Sequence, residues 1–184
     1  MKLTVSEEAI SLLLRIFYNP TYSEFSFNTT EWASVLEFAH GYEFEEVKKL
    51  ALRELEKQPL DVADRIQLYE EQKADVSLVI PYYFDISTRP HILSRGEART
   101  LGLDASLTIH ECREHSRVTV KKGPKENGAA GKRGNAGAGE PVVIEFDHSI
   151  VIAHLARCLL VDPAFVKDRL TKTNRIPGSD QPAA

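Results

Sequence analysis

Apolar residues along the first third of the chain recur with a helical period. Ile10, Leu13, Leu14 and Phe17 stand at i, i+3, i+4 and i+7, which is one face of a helix. Ser6 can cap the exposed N–H groups at its start, and Glu7 and Glu8 suit the positive end of the helix dipole. Tyr18-Asn19-Pro20 ends this helix, and Phe25-Ser26-Phe27 makes at most a short extended segment. A second helix is expected after Thr29-Thr30, with Glu31 in its first turn and Trp32, Val35, Leu36 and Ala39 as its apolar stripe. Gly41 supplies the stop. The third spans about residues 43–57, with Val47, Leu50, Ala51 and Leu55 inward and Lys48, Lys49, Arg53 and Glu56 outward. The link between these two is short enough to predict a helical hairpin.

Pro59 interrupts the pattern, and Asp61 opens a shorter helix carrying Ile66 and Tyr69. Asp75 caps another, in which Pro81 removes a backbone donor and crowds the preceding turn, so a kink or a late start is expected. Ser94 and Glu97 form a capping box, and Gly102 ends that brief helix. Asp104 caps the last clear helix, with Leu107, Ile109 and Cys112 among its apolar positions. Strand signals are weak; the best are Val118-Thr119-Val120 and Val142-Val143-Ile144. No large apolar side chain occurs between Val120 and Val142, so burial cannot offset the entropy of ordering this stretch, and it reads as a disordered linker. Residues 150–160 fit a short apolar helix, with His148-Ser149 near its start and Asp162-Pro163 ending it. The expected fold class is mainly α, with no convincing internal repeat.

Composition narrows the setting. The 184 residues are 42% hydrophobic, enough for one modest core or two small ones. No run of 18 apolar residues spans a membrane, and residues 1–8 turn acidic where a secretory signal would be apolar. Two cysteines, Cys112 and Cys158, are too few and too far apart for a disulfide framework or a close-spaced zinc motif, so a reducing intracellular compartment, cytoplasmic or nuclear, is expected. Residues 1–114 carry 12 Lys or Arg against 20 Asp or Glu, and residues 115–184 carry 11 against 7. An acidic folded part with a basic tail argues against a nucleic-acid-binding core, which needs a basic surface.

Two stretches carry a family resemblance. Trp32-Ala33-Ser34-Val35-Leu36-Glu37-Phe38-Ala39, then Phe44, then Val47-Lys48-Lys49-Leu50-Ala51 resembles the closing helices of a BTB/POZ domain, in the variant common among fungal proteins. Asp64-Arg65, Leu68-Tyr69, Pro81-Tyr82, Arg89-Pro90, Leu93-Ser94 and residues 97–102 resemble the helical extension behind that domain. The match covers about residues 3–115. The resemblance implies residues 1–57 as the C-terminal half of a BTB/POZ-like domain and 58–117 as helical extension; composition makes 118–141 a Gly/Ala/Lys-rich linker and leaves 142–184 as a tail with one short helix. The family's opening hairpin, two helices and further strand have no counterpart here, with Lys2-Leu3-Thr4-Val5 in the place of the fourth strand. A BTB-type homodimer is therefore not expected. The resemblance implies a protein-interaction role, as adaptor or scaffold, in a family that includes transcriptional regulators and substrate adaptors for cullin-type ubiquitin ligases.

Several residues have catalytic or ligating side chains, and their spacing favours plain structural roles. His110, Cys112 and His115 cannot converge from one helix, because His110 and Cys112 point about 200° apart. His154 and Cys158 share a helical face at i, i+4, yet two ligands without a third do not make a metal site. Asp147-His148-Ser149 holds triad residue types, but adjacent residues cannot point at one another; helix capping is the better reading. Gly131-Lys132 fails as a phosphate loop, with Glu126 and Arg133 at the key places. No catalytic residue, cofactor or metal is expected, and the chain reads as a non-enzyme. Trp32 anchors a core or an interface, and Glu37, Glu45 and Glu46 are candidate rim charges of a protein-binding surface. Two alternatives remain: a nucleic-acid-associated regulator using Lys121, Lys122, Lys125, Lys132 and Arg133, or a truncated fragment without independent function.

Overall fold

Side-chain caps open five of the eight helices among the described residues. In a computed structural model, which describes residues 7–19, 25–120 and 143–176, the chain is mainly helical, as its periodicity predicts. Helix α1 is Glu7–Phe17. Helix α2, Thr29–Gly41, starts from Asn28, just ahead of the threonine pair: Asn28 Oδ1 accepts from the Glu31 N–H at 2.9 Å, and Glu31 returns the bond to the Asn28 N–H at 2.8 Å. Helix α3 is Glu45–Leu55, α4 is Val62–Glu71 and α5 is Val76–Thr88, the last capped by Asp75. Ser94 and Glu97 close the expected capping box on α6, Arg95–Ser116. Asp147 accepts from the Ser149 and Ile150 N–H groups at the start of α7, His148–Cys158.

Asp162-Pro163 starts a helix, where the sequence predicts a stop. Asp162 caps α8, Pro163–Lys172, and Pro163 occupies its first turn, where the missing N–H has no intrahelical partner to lose. Residues 142–184 thus hold two helices among the described residues, in place of the one expected.

Helix ends also differ from the glycine stops expected. Gly41 is the last residue of α2, and the left-handed position falls on Glu43 (φ 60°). Lys73, Leu160 and Asn174 take the same conformation after α4, α7 and α8, with φ of 45°, 55° and 57°. At each of the four, the next residue's N–H returns to a carbonyl five residues back: Phe44 to Ala39, Ala74 to Tyr69, Val161 to Ala156 and Arg175 to Leu170, at 2.8–2.9 Å. This double-back satisfies carbonyls the helix would leave open.

No late start marks Pro81. Helix α5 runs through it from Val76 to Thr88. A proline here cannot donate to the Ser77 carbonyl one turn back. Arg169 of α8 takes that oxygen instead, its Nε donating at 2.7 Å. In α6, Gly102 does interrupt the helix, with φ 76° and ψ −179°.

The packing joins all eight helices of the described residues into one apolar cluster. Trp32, Val35, Leu36 and Ala39 of α2 face Val47, Ala51 and Leu55 of α3 as the predicted hairpin. Ile66 and Tyr69 of α4, Ile80 and Phe84 of α5, and Ile109 and Cys112 of α6 continue the core. Helix α7 packs on α5 and α6 through Val151 and Leu155, and α8 packs on α5 and α7 through Val166 and Leu170. Buried arginines close exposed helix ends: Arg65 donates to the Leu55 and Gln58 carbonyls, and Arg113 to those of Ile86, Ser87 and Arg89. Burial lowers the Arg113 pKa, with the Arg89 and Arg117 charges adding to it.

Both weak strand signals are used. Strand β1, Arg117–Val120, pairs antiparallel with β2, Val143–Phe146, in the register Arg117 to Phe146 and Val120 to Val143. Residues 118–120 therefore belong to a strand and not to the linker assigned to 118–141. The rest of that linker, with all five of its basic residues, lies outside the described residues, as do Ser6 and Pro20.

Candidate functional site

Helix α1 carries two apolar faces, and the core takes the less obvious one. Ala9 and Leu12 are buried, with Leu13 and Ile16 packed beside them. Ile10, Leu14 and Phe17 are 41%, 49% and 61% exposed, and the adjoining Tyr18 is 80% exposed. Three members of the stripe picked out by the sequence therefore face solvent. Single exposed apolar residues are ordinary, whereas here three lie on one helical face. Arg15 borders it, pairing with Glu31 at 3.4 Å and lying 4.5 Å from the Phe27 ring centroid.

The sequence-predicted surface residues divide. Trp32 is 1% exposed, its ring meeting Phe27 at 4.9 Å and Phe25 edge-on at 5.5 Å. It is a core anchor and presents nothing to a partner. Its size and its place on the apolar stripe make burial the favoured outcome. Glu37, Glu45 and Glu46 are exposed, and Glu46 pairs with Lys49 at 2.7 Å. Near them, at the turn from α2 to α3, Phe38, Tyr42 and Phe44 stack with centroids 4.4–6.4 Å apart.

The ligating residues diverge and regroup. Among the first trio, His110 is exposed, Cys112 lies in the core and His115 reaches the α7 side, as the helical angles require. Burial pushes the Cys112 thiol up to about 12, with the charge of Cys158 adding to it. Asp147 and His148 form no triad: Asp147 caps α7, and the His148 ring meets Phe84 edge-on at 5.2 Å.

His154 and Cys158 do acquire a third neighbour. Helix α6 presents Glu111 to the face of α7 that carries both, and one ligand atom from each of the three lies within 4.8 Å of the others. His154 is buried, and its Nε2 stands 3.2 Å from Glu111 Oε2. Arg157 donates to His154 Nδ1 at 3.1 Å, so the ring proton belongs on Nε2, where Glu111 accepts it. The His115 ring stacks on that of His154 at 5.0 Å, and its Nδ1 lies 2.8 Å from the Glu111 carbonyl. Sequence reasoning missed Glu111 because it lies 43 residues from His154, and only the packing of α6 on α7 joins them.

No protein-family model matches the chain, and no curated protein or solved structure matches it. Among the described residues no single helix is long and apolar enough to cross a membrane.

Proposed function

We propose that this chain is a non-catalytic protein-interaction module, BTB/POZ-like in its helices, which binds another polypeptide through the exposed face of α1. The uncovered row of Ile10, Leu14 and Phe17, extended by Tyr18, carries this reading. A helix that packs one apolar face into a core and leaves a second in water gains by covering the second. Ile10, Leu14 and Phe17 are about half exposed, so covering each contributes about half the 1.5–3 kcal/mol of a full burial, roughly 1 kcal/mol. The partner's surface is accordingly apolar at its centre, and the charged Arg15 and Glu31 lie at the rim. An intracellular setting fits two free thiols.

A two-hybrid screen with the full chain tests this. Partners recovered by the natural sequence should be lost with the double variant Leu14→Asp, Phe17→Asp and retained with Glu37→Gln. Both side chains are about half exposed, so the double variant should stay folded, which a melting curve checks. Recovery of the same partners by the aspartate variant would rule out the α1 face, and a folded chain that yields no specific partner would sink the module reading.

A further inference from the structure

We propose that Glu111, His154 and Cys158 form a binding site for a single zinc-type divalent ion that clamps α6 to α7. The spacing i, i+4 puts His154 and Cys158 on one face of α7, and Glu111 closes the group from α6. In a tetrahedral site with bonds of about 2.0–2.3 Å, neighbouring ligand atoms stand roughly 3.3–3.6 Å apart. His154 Nε2 and Glu111 Oε2 already meet that spacing at 3.2 Å. The 4.8 Å limit on the whole group leaves roughly an ångström to close. Cys158, half-buried as the last residue of α7, can supply it by side-chain rotation.

The donor set, one thiolate, one imidazole and one carboxylate, suits zinc and its neighbours and not calcium or magnesium, which prefer oxygen throughout. Binding releases the Cys158 thiol proton to solvent. The His154 proton moves from Nε2 to Nδ1, which breaks the hydrogen bond from Arg157, an exposed side chain free to turn away. Thiolate, carboxylate and dication then sum to zero, so the occupied site is neutral, where the empty one carries the single negative charge of Glu111. Glu111 keeps half its side chain in water, which leaves the fourth coordination position open to solvent beside His115. The site is independent of the α1 face and would stand if that surface bound nothing.

Cobalt titration of the metal-stripped full chain under reducing conditions tests it, with zinc as competitor. One equivalent should bind, producing a thiolate-to-cobalt charge-transfer band in the near ultraviolet that zinc abolishes, and zinc should raise the melting temperature. Cys158→Ser should lose the band, and Glu111→Gln should weaken binding at least about tenfold. Both positions are accessible enough for the variants to fold, which a melting curve without metal checks. His110→Ala, on an exposed part of α6, should bind like the natural chain. Binding that never saturates at one equivalent overturns the proposal. So does a band that survives Cys158→Ser, or unchanged affinity in Glu111→Gln.

Discussion

Single residues repair defects that a neighbouring helix creates. Pro81 leaves the Ser77 carbonyl without its intrahelical donor, and Arg169, 92 positions away from Ser77, donates to it. Removing Arg169 strands a part-buried carbonyl, and Arg169→Ala should cost about 1–3 kcal/mol. In a Pro81→Ala background the restored N–H can bond Ser77, so the same change should cost clearly less. A double-mutant cycle in urea measures the coupling. Strictly additive costs would mean that Arg169 acts elsewhere, through its own packing. The cap network shows the same division of labour. Arg89 beside Glu97, with the Ser94 backbone, holds the Glu97 carboxyl down to about 2 and so ties the start of α6 to the end of α5. Burial first, then hydrogen bonding to Glu56, raises Tyr82 to about 12.

Elements were legible where a local cap or break defines them and obscure where only packing does. The α2–α3 hairpin, the Ser94–Glu97 box and the Gly102 break all follow from neighbouring residues, and the structure contains them. The Gly102 backbone lies in a region that only glycine tolerates, and nothing stands within 4 Å of an added Cβ. Gly102→Ala should therefore destabilise by about 1–3 kcal/mol through backbone strain alone. Gly96→Ala, in the first turn of α6 with only Ser94 Oγ nearby at 3.8 Å, should stabilise by up to about 1 kcal/mol. Urea midpoints of the two variants moving in the same direction would contradict this account. Helix α1 shows the opposite case. Its apolar residues cover more than one face, so periodicity alone could not say that Leu12 goes inward while Leu14 stays out. Asp162-Pro163 was equally ambiguous, because an aspartate cap and a first-turn proline follow one helix and precede another with the same chemistry.

At the scale of the whole molecule, the last two helices belong to the same core as the first six. Helix α8 lies on α5, Arg175 grips Asp85 at 2.9–3.2 Å, and Leu170 is fully buried. Leu170→Ala should cost about 2–5 kcal/mol by lost transfer and cavity formation. The expected outcome is one cooperative thermal transition, lowered by roughly 5–15 °C. Circular dichroism showing α8 melting early, with the remaining helices unchanged, would instead make residues 143–176 an appendage. The candidate metal centre depends on the same packing, since one of its ligands comes from α6 and two from α7.

By itself the sequence determined the helical class, most helix starts and the break at Gly102. These depend on side-chain spacing and on hydrogen bonds within a few residues. Tertiary structure alone decided which face of α1 meets water, how a proline-pierced α5 is completed by Arg169, and that Glu111 stands beside His154 and Cys158. Each of these joins residues far apart in the chain, and local periodicity carries no information about which helix will lie against which.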